Sequence, residues 1–224
     1  MKPLPLAPRA VVFDCDGLLV DTEVCWTRAE RRIFADHGHG FGPEQKALVI
    51  GGTLAAAGEA MAAYFGRPGD GPRLAGELLS LVRAELADGA QALPGARELL
   101  KACAAAVPVA VASNSPRELL DIALGTSGLS GFVPVSFAAD EVAAPKPAPD
   151  LYLAACSALG ADPGDAVAFE DSATGVAAAR AAGMYVVTVP SLEHVALDHD
   201  WLAGTLFDTE LALWASGLEP CAGR

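Results

Sequence analysis

Five short apolar runs punctuate the chain, at Ala10–Phe13, Val107–Ala112, Phe132–Phe137, Ala166–Phe169 and Met184–Val189. Most are followed by a stretch in which apolar residues recur at helical spacing. These stretches fall at residues 94–105, 116–126, 147–160 and 172–182, and Gly183 is placed to stop the last of them. Short apolar strands alternating with helices predict a parallel sheet covered by helices on both faces. The expected fold is therefore α/β, a Rossmann-like three-layer core.

One interval breaks the alternation. Between the first and second runs no strand pattern occurs, while three sets of apolar residues keep helical spacing. They are Trp26, Ala29, Ile33 and Phe34; Leu54, Ala57, Met61 and Tyr64; and Leu74, Leu78, Leu81 and Val82. A crossover between parallel strands needs only one helix. The surplus predicts an inserted helical subdomain over residues 22–90, leaving residues 1–21 and 91–224 as the core.

Composition narrows the function. The 224 residues suit one sizeable domain or a core with a smaller insert. Hydrophobic residues make up 52%, but much of that is alanine. The longest apolar stretch, Ala102–Ala112, is interrupted by Pro108 and falls well short of the ~20 residues that span a bilayer. The segment from Met1 to Arg9 is too short and too rich in proline for a signal peptide, so a cytoplasmic protein without membrane association is expected. A net charge of −13 argues against nucleic acid, whose binding rests on cationic contacts to phosphate. A small phosphorylated ligand would still need a local cation, either a metal or a lysine. The five cysteines (Cys15, Cys25, Cys103, Cys156 and Cys221) are odd in number and lack Cys-x-x-Cys spacing. They predict buried thiols rather than a disulfide framework or a zinc site. His37, His39, His194 and His199 show no metal-ligand spacing either.

In open parallel sheets, ligands sit at the carboxyl ends of the strands. Asp14 and Asp16 follow the first run, Ser113 and Asn114 the second, and Glu170 and Asp171 the fourth, while Lys146 precedes the helix after the third. Each has an ordinary structural alternative: an Asx turn, a helix N-cap, a capping run at Glu170-Asp171-Ser172, or a solvated loop lysine. Their chemistry converges nonetheless. One carboxylate of the Asp14-x-Asp16 pair can attack phosphorus, and the other can move protons to and from oxygen. Gly17 allows the turn that aims both at one place. Asp14 with Asp171, and Glu170 beside them, offers the oxygen ligands magnesium prefers. The hydroxyl and backbone amides at Ser113 and Asn114 can hold phosphate oxygens. Pro145 and Pro147 restrict the backbone that aims Lys146.

These motifs resemble those of the haloacid dehalogenase-like hydrolase superfamily. Asp14-Cys15-Asp16-Gly17 matches its first motif, Ser113 its second, Lys146-Pro147 its third and Phe169-Glu170-Asp171-Ser172 its fourth. The likeness extends over nearly the whole chain, including a helical cap after the first motif. It implies Asp14 as nucleophile, Asp16 as general acid and base, and Ser113 and Lys146 as phosphate ligands. Magnesium would be held by Asp14, the Asp16 backbone carbonyl and Asp171, with Glu170 close by. The namesake dehalogenases lack the second aspartate, so Asp16 favours phosphoryl transfer. β-Phosphoglucomutase-like members carry a histidine where this chain has Trp26, whereas the stretch Asp16–Glu23 is closer to phosphatases of sugar and hexitol phosphates. The resemblance thus implies a magnesium-dependent phosphatase, with a phosphomutase as the alternative and a non-catalytic sugar-phosphate sensor as a more distant one. Pro145 departs from the glycine, serine or arginine of many relatives. Ile50-Gly51-Gly52-Thr53 resembles the cap loop that faces the active site, where Thr53 could equally serve as a helix N-cap. Gly51, Gly52, Thr53, Glu23 and Trp26 are therefore the expected substrate contacts. A monomer or weak dimer is expected.

Overall fold

The computed structural model describes residues 2–50, 52–190 and 197–218, so Gly51, His194 and Cys221 lie outside the described residues. Six strands, Ala10–Phe13 (β1), Val109–Ala112 (β4), Val135–Phe137 (β5), Ala166–Glu170 (β6), Tyr185–Thr188 (β7) and Trp201–Leu202 (β8), form a parallel sheet in the order β5-β4-β1-β6-β7-β8. A separate two-residue pair, Val20–Asp21 (β2) and Gln91–Ala92 (β3), runs antiparallel.

The strand interiors alternate in a way that decides the layers. Val11, Phe13, Val109, Val111, Val167 and Phe169 share one apolar cluster with the helices Ala96–Ala106 (α5), Arg117–Thr126 (α6) and Thr209–Ser216 (α9). Ala10, Val12, Ala110, Ala112, Ala166 and Ala168 share the other with Asp150–Ala158 (α7) and Ala173–Ala181 (α8). Every strand residue named is buried. Both faces are thus covered, which is why these strands read as continuous apolar runs. Phe13 stacks on Phe169 with centroids 4.9 Å apart, tying together the ends of β1 and β6 just before Asp14 and Glu170. Such a pair contributes about 0.5–1.5 kcal/mol beyond its buried area.

The predicted strand at 132–137 begins only at Val135, because Ser130–Phe132 forms one tight helical turn. The predicted helix at 147–160 begins at Asp150, after the proline-rich loop. Strand β8 and helix α9 were not anticipated. Two residues are too few to show a period, and α9 is an eight-residue helix started by the Asp208 side chain, which accepts from Glu210 and Leu211 N–H groups.

Between β2 and β3 run four helices: Glu23–Asp36 (α1), Pro43–Val49 (α2), Leu54–Tyr64 (α3) and Gly71–Ala87 (α4). Three were expected. The additional α2, with sequence PEQKALV, buries only Val49 and so shows no apolar period. Helices α3 and α4 approach closely at Gly58, where an added Cβ would lie 2.3 Å from the Gly71 carbonyl oxygen. No helix among the described residues is long and apolar enough to cross a membrane. Cys15, Cys25, Cys103 and Cys156 are buried free thiols, as their spacing led us to expect.

Candidate active site

β1 sits between β4 and β6, so the loops leaving these three strands share one edge of the sheet. One residue past β1, the Asp14 N–H still donates to the Phe169 carbonyl at 3.0 Å, which holds Asp14 against β6. The chain then turns through Gly17 at φ 82°, and the Gly17 N–H donates to Val20. That conformation is open to glycine without steric cost.

Asp16 is held by three hydroxyls. Ser113 and Ser115 donate to its Oδ2 at 2.7 and 3.0 Å, and Thr22 donates to Oδ1 at 2.9 Å. Ser113 also accepts from the Ser115 N–H at 2.9 Å. Pro116, not a serine, stands at the N-cap of α6 and makes no side-chain cap bond. The serines after β4 therefore serve Asp16 rather than the helix. Ser113, expected to touch phosphate, is fully buried behind Asp16 in this arrangement.

Lys146 is buried, and its ammonium lies 2.5 Å from Asp14 Oδ1 and 2.6 Å from Glu170 Oε1. Its backbone is clamped by Asn114, which accepts from the Lys146 N–H and donates to its carbonyl. The Tyr152 hydroxyl donates to Glu170 Oε1 at 2.5 Å, and the Tyr152 ring centroid is 5.0 Å from Lys146 Nζ. Glu170 Oε2 accepts from the Asp171 N–H and from Ser172 Oγ at 3.2 and 3.3 Å. Ser172 in turn caps α8 through the Gly175 N–H. The capping role that sequence allowed for this stretch thus coexists with its place at the site.

Burial pushes the Asp14 carboxyl well above the ordinary carboxylate range; Lys146 opposes this, while Glu170, Asp171 and Asp16 add to it. For Lys146 burial works against the charged form, but Asp14 and Glu170 outweigh it and hold the ammonium above its ordinary value. The lysine therefore stays protonated at neutral pH, a fixed cation under the cluster. Burial likewise raises Tyr152, with Glu170 and Asp14 adding to it, so its hydroxyl remains a donor.

Carboxylate oxygens of Asp14, Glu170 and Asp171 all lie within 4.8 Å of one another, and all three residues are buried. Three buried carboxylates against the one ammonium of Lys146 form a hard-oxygen set of excess negative charge, which suits a divalent cation such as magnesium. The Asp16 carboxylate is not part of this cluster.

A cavity of about 310 Å³ opens over the cluster. Asp14, Asp16, Asn114, Lys146 and Asp171 line its sheet side, and Glu23, Trp26, Gly52 and Thr53 line its helical side. Thr53 also caps α3, accepting from the Ala56 N–H at 3.2 Å. Of the expected residues, Ser113 and Glu170 sit behind the wall. Several participants were not singled out from sequence: Thr22, Ser115, Tyr152, Gly175, and on the helical wall Lys46 and Glu30. Thr22 lies within the stretch Asp16–Glu23 noted above and Ser115 directly follows Asn114; the others carry no local signal and are recruited by packing.

Residues 8–183 match the family described as haloacid dehalogenase-like hydrolase. The chain is 31% identical to the fructose-1-phosphate phosphatase YqaB of Escherichia coli, over 80% of this chain and 95% of that protein. It is 32% identical to hexitol phosphatase B of the same organism, over 82% and 84% of the two chains. It is also 32% identical to the bifunctional riboflavin kinase/FMN phosphatase of Arabidopsis thaliana, over 94% of this chain but only 56% of that longer protein. Among solved structures, CbbY from Rhodobacter sphaeroides in complex with xylulose-(1,5)bisphosphate superposes with a TM-score of 0.77, at 26% identity over 95% of this chain and 99% of that one.

Proposed function

The chain belongs to the haloacid dehalogenase-like hydrolase family, and on that premise we propose that it is a phosphatase acting on a small sugar or polyol phosphate through an aspartyl-phosphate on Asp14. The observation that carries this reading is the Asp14–Lys146–Glu170 arrangement at the floor of a cavity that Asp16 also lines.

In the first step a carboxylate oxygen of Asp14 bonds to phosphorus and the bond from phosphorus to the substrate oxygen breaks. Asp16 supplies the proton that the departing alcohol needs. In the second step Asp16 takes a proton from water as that water attacks phosphorus. Phosphate leaves, and the Asp14 carboxylate is regenerated. Lys146 offsets charge at Asp14 throughout and keeps the nucleophile in one place. The hydroxyls of Ser113, Ser115 and Thr22 orient Asp16. Asp14 and Asp171, with Glu170 beside them, would hold magnesium, whose charge eases the approach of a phosphate dianion to a carboxylate. We take residues 22–90 as a cap joined to the core at the β2–β3 pair, whose closure would exclude water during the first step.

The sugar or polyol class is supported by the fructose-1-phosphate and hexitol phosphatases among the relatives. Hydrolysis rather than transfer to a second hydroxyl is favoured by Trp26 on the cavity wall. Its indole N–H can donate but cannot accept a proton from an attacking sugar hydroxyl.

The test is phosphate release over a panel of sugar, polyol and nucleotide phosphates, with and without magnesium, for the wild type and Asp14→Asn. Release from sugar or polyol phosphates that needs magnesium and falls to background in the variant is expected. Near-normal turnover by Asp14→Asn would overturn the mechanism. Conversion of β-glucose 1-phosphate to glucose 6-phosphate without free phosphate would make the enzyme a mutase.

A further inference from the structure

The helical wall of the cavity carries a charged cluster that the chemistry above does not use. Lys46 of α2 lies between Glu23 and Glu30 of α1, its Nζ 3.1 Å from Glu23 Oε2 and 2.7 Å from Glu30 Oε2. All three line the cavity that also contains Asp14 and Lys146. The Glu30 side chain is 3% exposed and that of Lys46 19%. Taking such a pair out of water costs free energy, and an apolar pair of similar size would join α1 to α2 as well. Stability alone therefore gives little reason for these residues to stand on a cavity wall, whereas contact with a ligand does.

The sign of the charge says which ligand. Two carboxylates against one ammonium leave this wall acidic. Lys46 and Lys146 are the only cationic side chains among the described lining residues, and both are already paired with carboxylates. A second phosphate on the substrate would have to displace Glu23 or Glu30 from Lys46 and then sit beside the displaced carboxylate. Sugar hydroxyls meet no such conflict, because each can donate to a glutamate while accepting from the ammonium. Trp26 lines the same wall, and the negative face of an indole suits the C–H bonds of a sugar.

We propose that Lys46, Glu23 and Glu30 form a polyol-recognition subsite that selects an uncharged, hydroxyl-rich leaving group, so that sugar monophosphates are accepted and bisphosphates rejected. The proposal rests on the phosphatase reading above and adds the residues that decide its substrate class.

The experiment is steady-state kinetics of the magnesium-loaded full chain on ketose, aldose and hexitol monophosphates, each paired with its bisphosphate, with p-nitrophenyl phosphate as a substrate lacking hydroxyls. The best monophosphate should exceed its bisphosphate in kcat/KM by about tenfold or more. In Lys46→Met, the ratio of kcat/KM for that monophosphate to kcat/KM for p-nitrophenyl phosphate should fall by about tenfold, mainly through KM. Glu23→Gln, at a half-exposed position, should narrow the preference for monophosphate over bisphosphate. A bisphosphate used as well as its monophosphate, or an unchanged ratio in folded Lys46→Met, would overturn the subsite. If no compound is turned over, p-nitrophenyl phosphate included, the phosphatase reading falls and takes the subsite with it.

Discussion

Asn114 grips Lys146 by its backbone: the Asn114 amide oxygen accepts from the Lys146 N–H at 2.8 Å, and its amide nitrogen donates to the Lys146 carbonyl at 3.0 Å. Both ends of one side chain are thus committed to the residue whose ammonium reaches Asp14. The loop between β5 and α7 is thereby fastened to the loop after β4, and the lysine enters the site from a fixed backbone. Asn114 was expected beside phosphate; it does line the cavity, but its amide is spent on this clamp.

Asn114→Ala should therefore act through Lys146. Two peptide groups lose their partners, at a cost of about 1–3 kcal/mol in stability. A lysine displaced by a fraction of an ångström should lower kcat by about tenfold or more, with a smaller change in KM. Denaturant unfolding and steady-state kinetics check both. A variant with wild-type kcat would mean that the two ion pairs position Lys146 unaided.

Gly175 should be intolerant of even one added carbon. A Cβ there would fall 1.9 Å from Glu170 Oε1. Glu170 cannot simply swing aside, because it is buried and held by Lys146, Tyr152, Ser172 and the Asp171 N–H. Gly175→Ala would ordinarily favour a helix by up to about 1 kcal/mol. Here we expect destabilisation and a loss of activity in the same variant, read by thermal melting and kcat. A stabilised, fully active variant would show that Glu170 has room to move.

The raised Asp14 carboxyl sets a pH dependence for the metal-free protein. Its ordinary value is 3.8, and burial lifts the folded value well above it, against the pull of Lys146. The native state then binds this proton more tightly than the unfolded chain. The group's contribution is thus fully present at low pH and lost as pH rises through the folded value. Asp14→Asn removes the ionisation, so in chelator at neutral pH the variant should melt higher than the wild type, by about 2–4 °C for each kcal/mol relieved. The gap should close as pH falls toward the ordinary carboxylate value, and magnesium should raise the wild-type Tm more than the variant's. A variant that melts lower at neutral pH would mean that the ion pair with Lys146 outweighs the burial of Asp14.

How much of this was legible beforehand differs between residues for physical reasons. Strands β1, β4, β6 and β7 were readable because burial on both faces makes their sequences continuously apolar. Helix α2 was not, because only Val49 is buried and no period results. Asp14, Asp16, Lys146, Glu170 and Asp171 stood out because each follows or precedes an element at the carboxyl edge of the sheet, where ligands of such sheets sit. Tyr152 and Gly175 did not, because a helix-interior tyrosine and glycine have ordinary reasons to be where they are. Their importance comes from Glu170, which lies 18 residues from Tyr152 and meets it only in the folded chain.

The sequence by itself determined the α/β class, the run of helices between the first two strands of the large sheet and the order of acidic, hydroxyl and basic groups along the strand ends, since burial period and strand-end position are local properties. Only the tertiary structure decided what each group is committed to: Ser113 to Asp16, Asn114 to the Lys146 backbone, and Lys46 to Glu23 and Glu30 on the wall of the cavity that Asp14 also lines. A side chain can satisfy its hydrogen bonds or charge with many partners, and the packing of distant segments chooses among them.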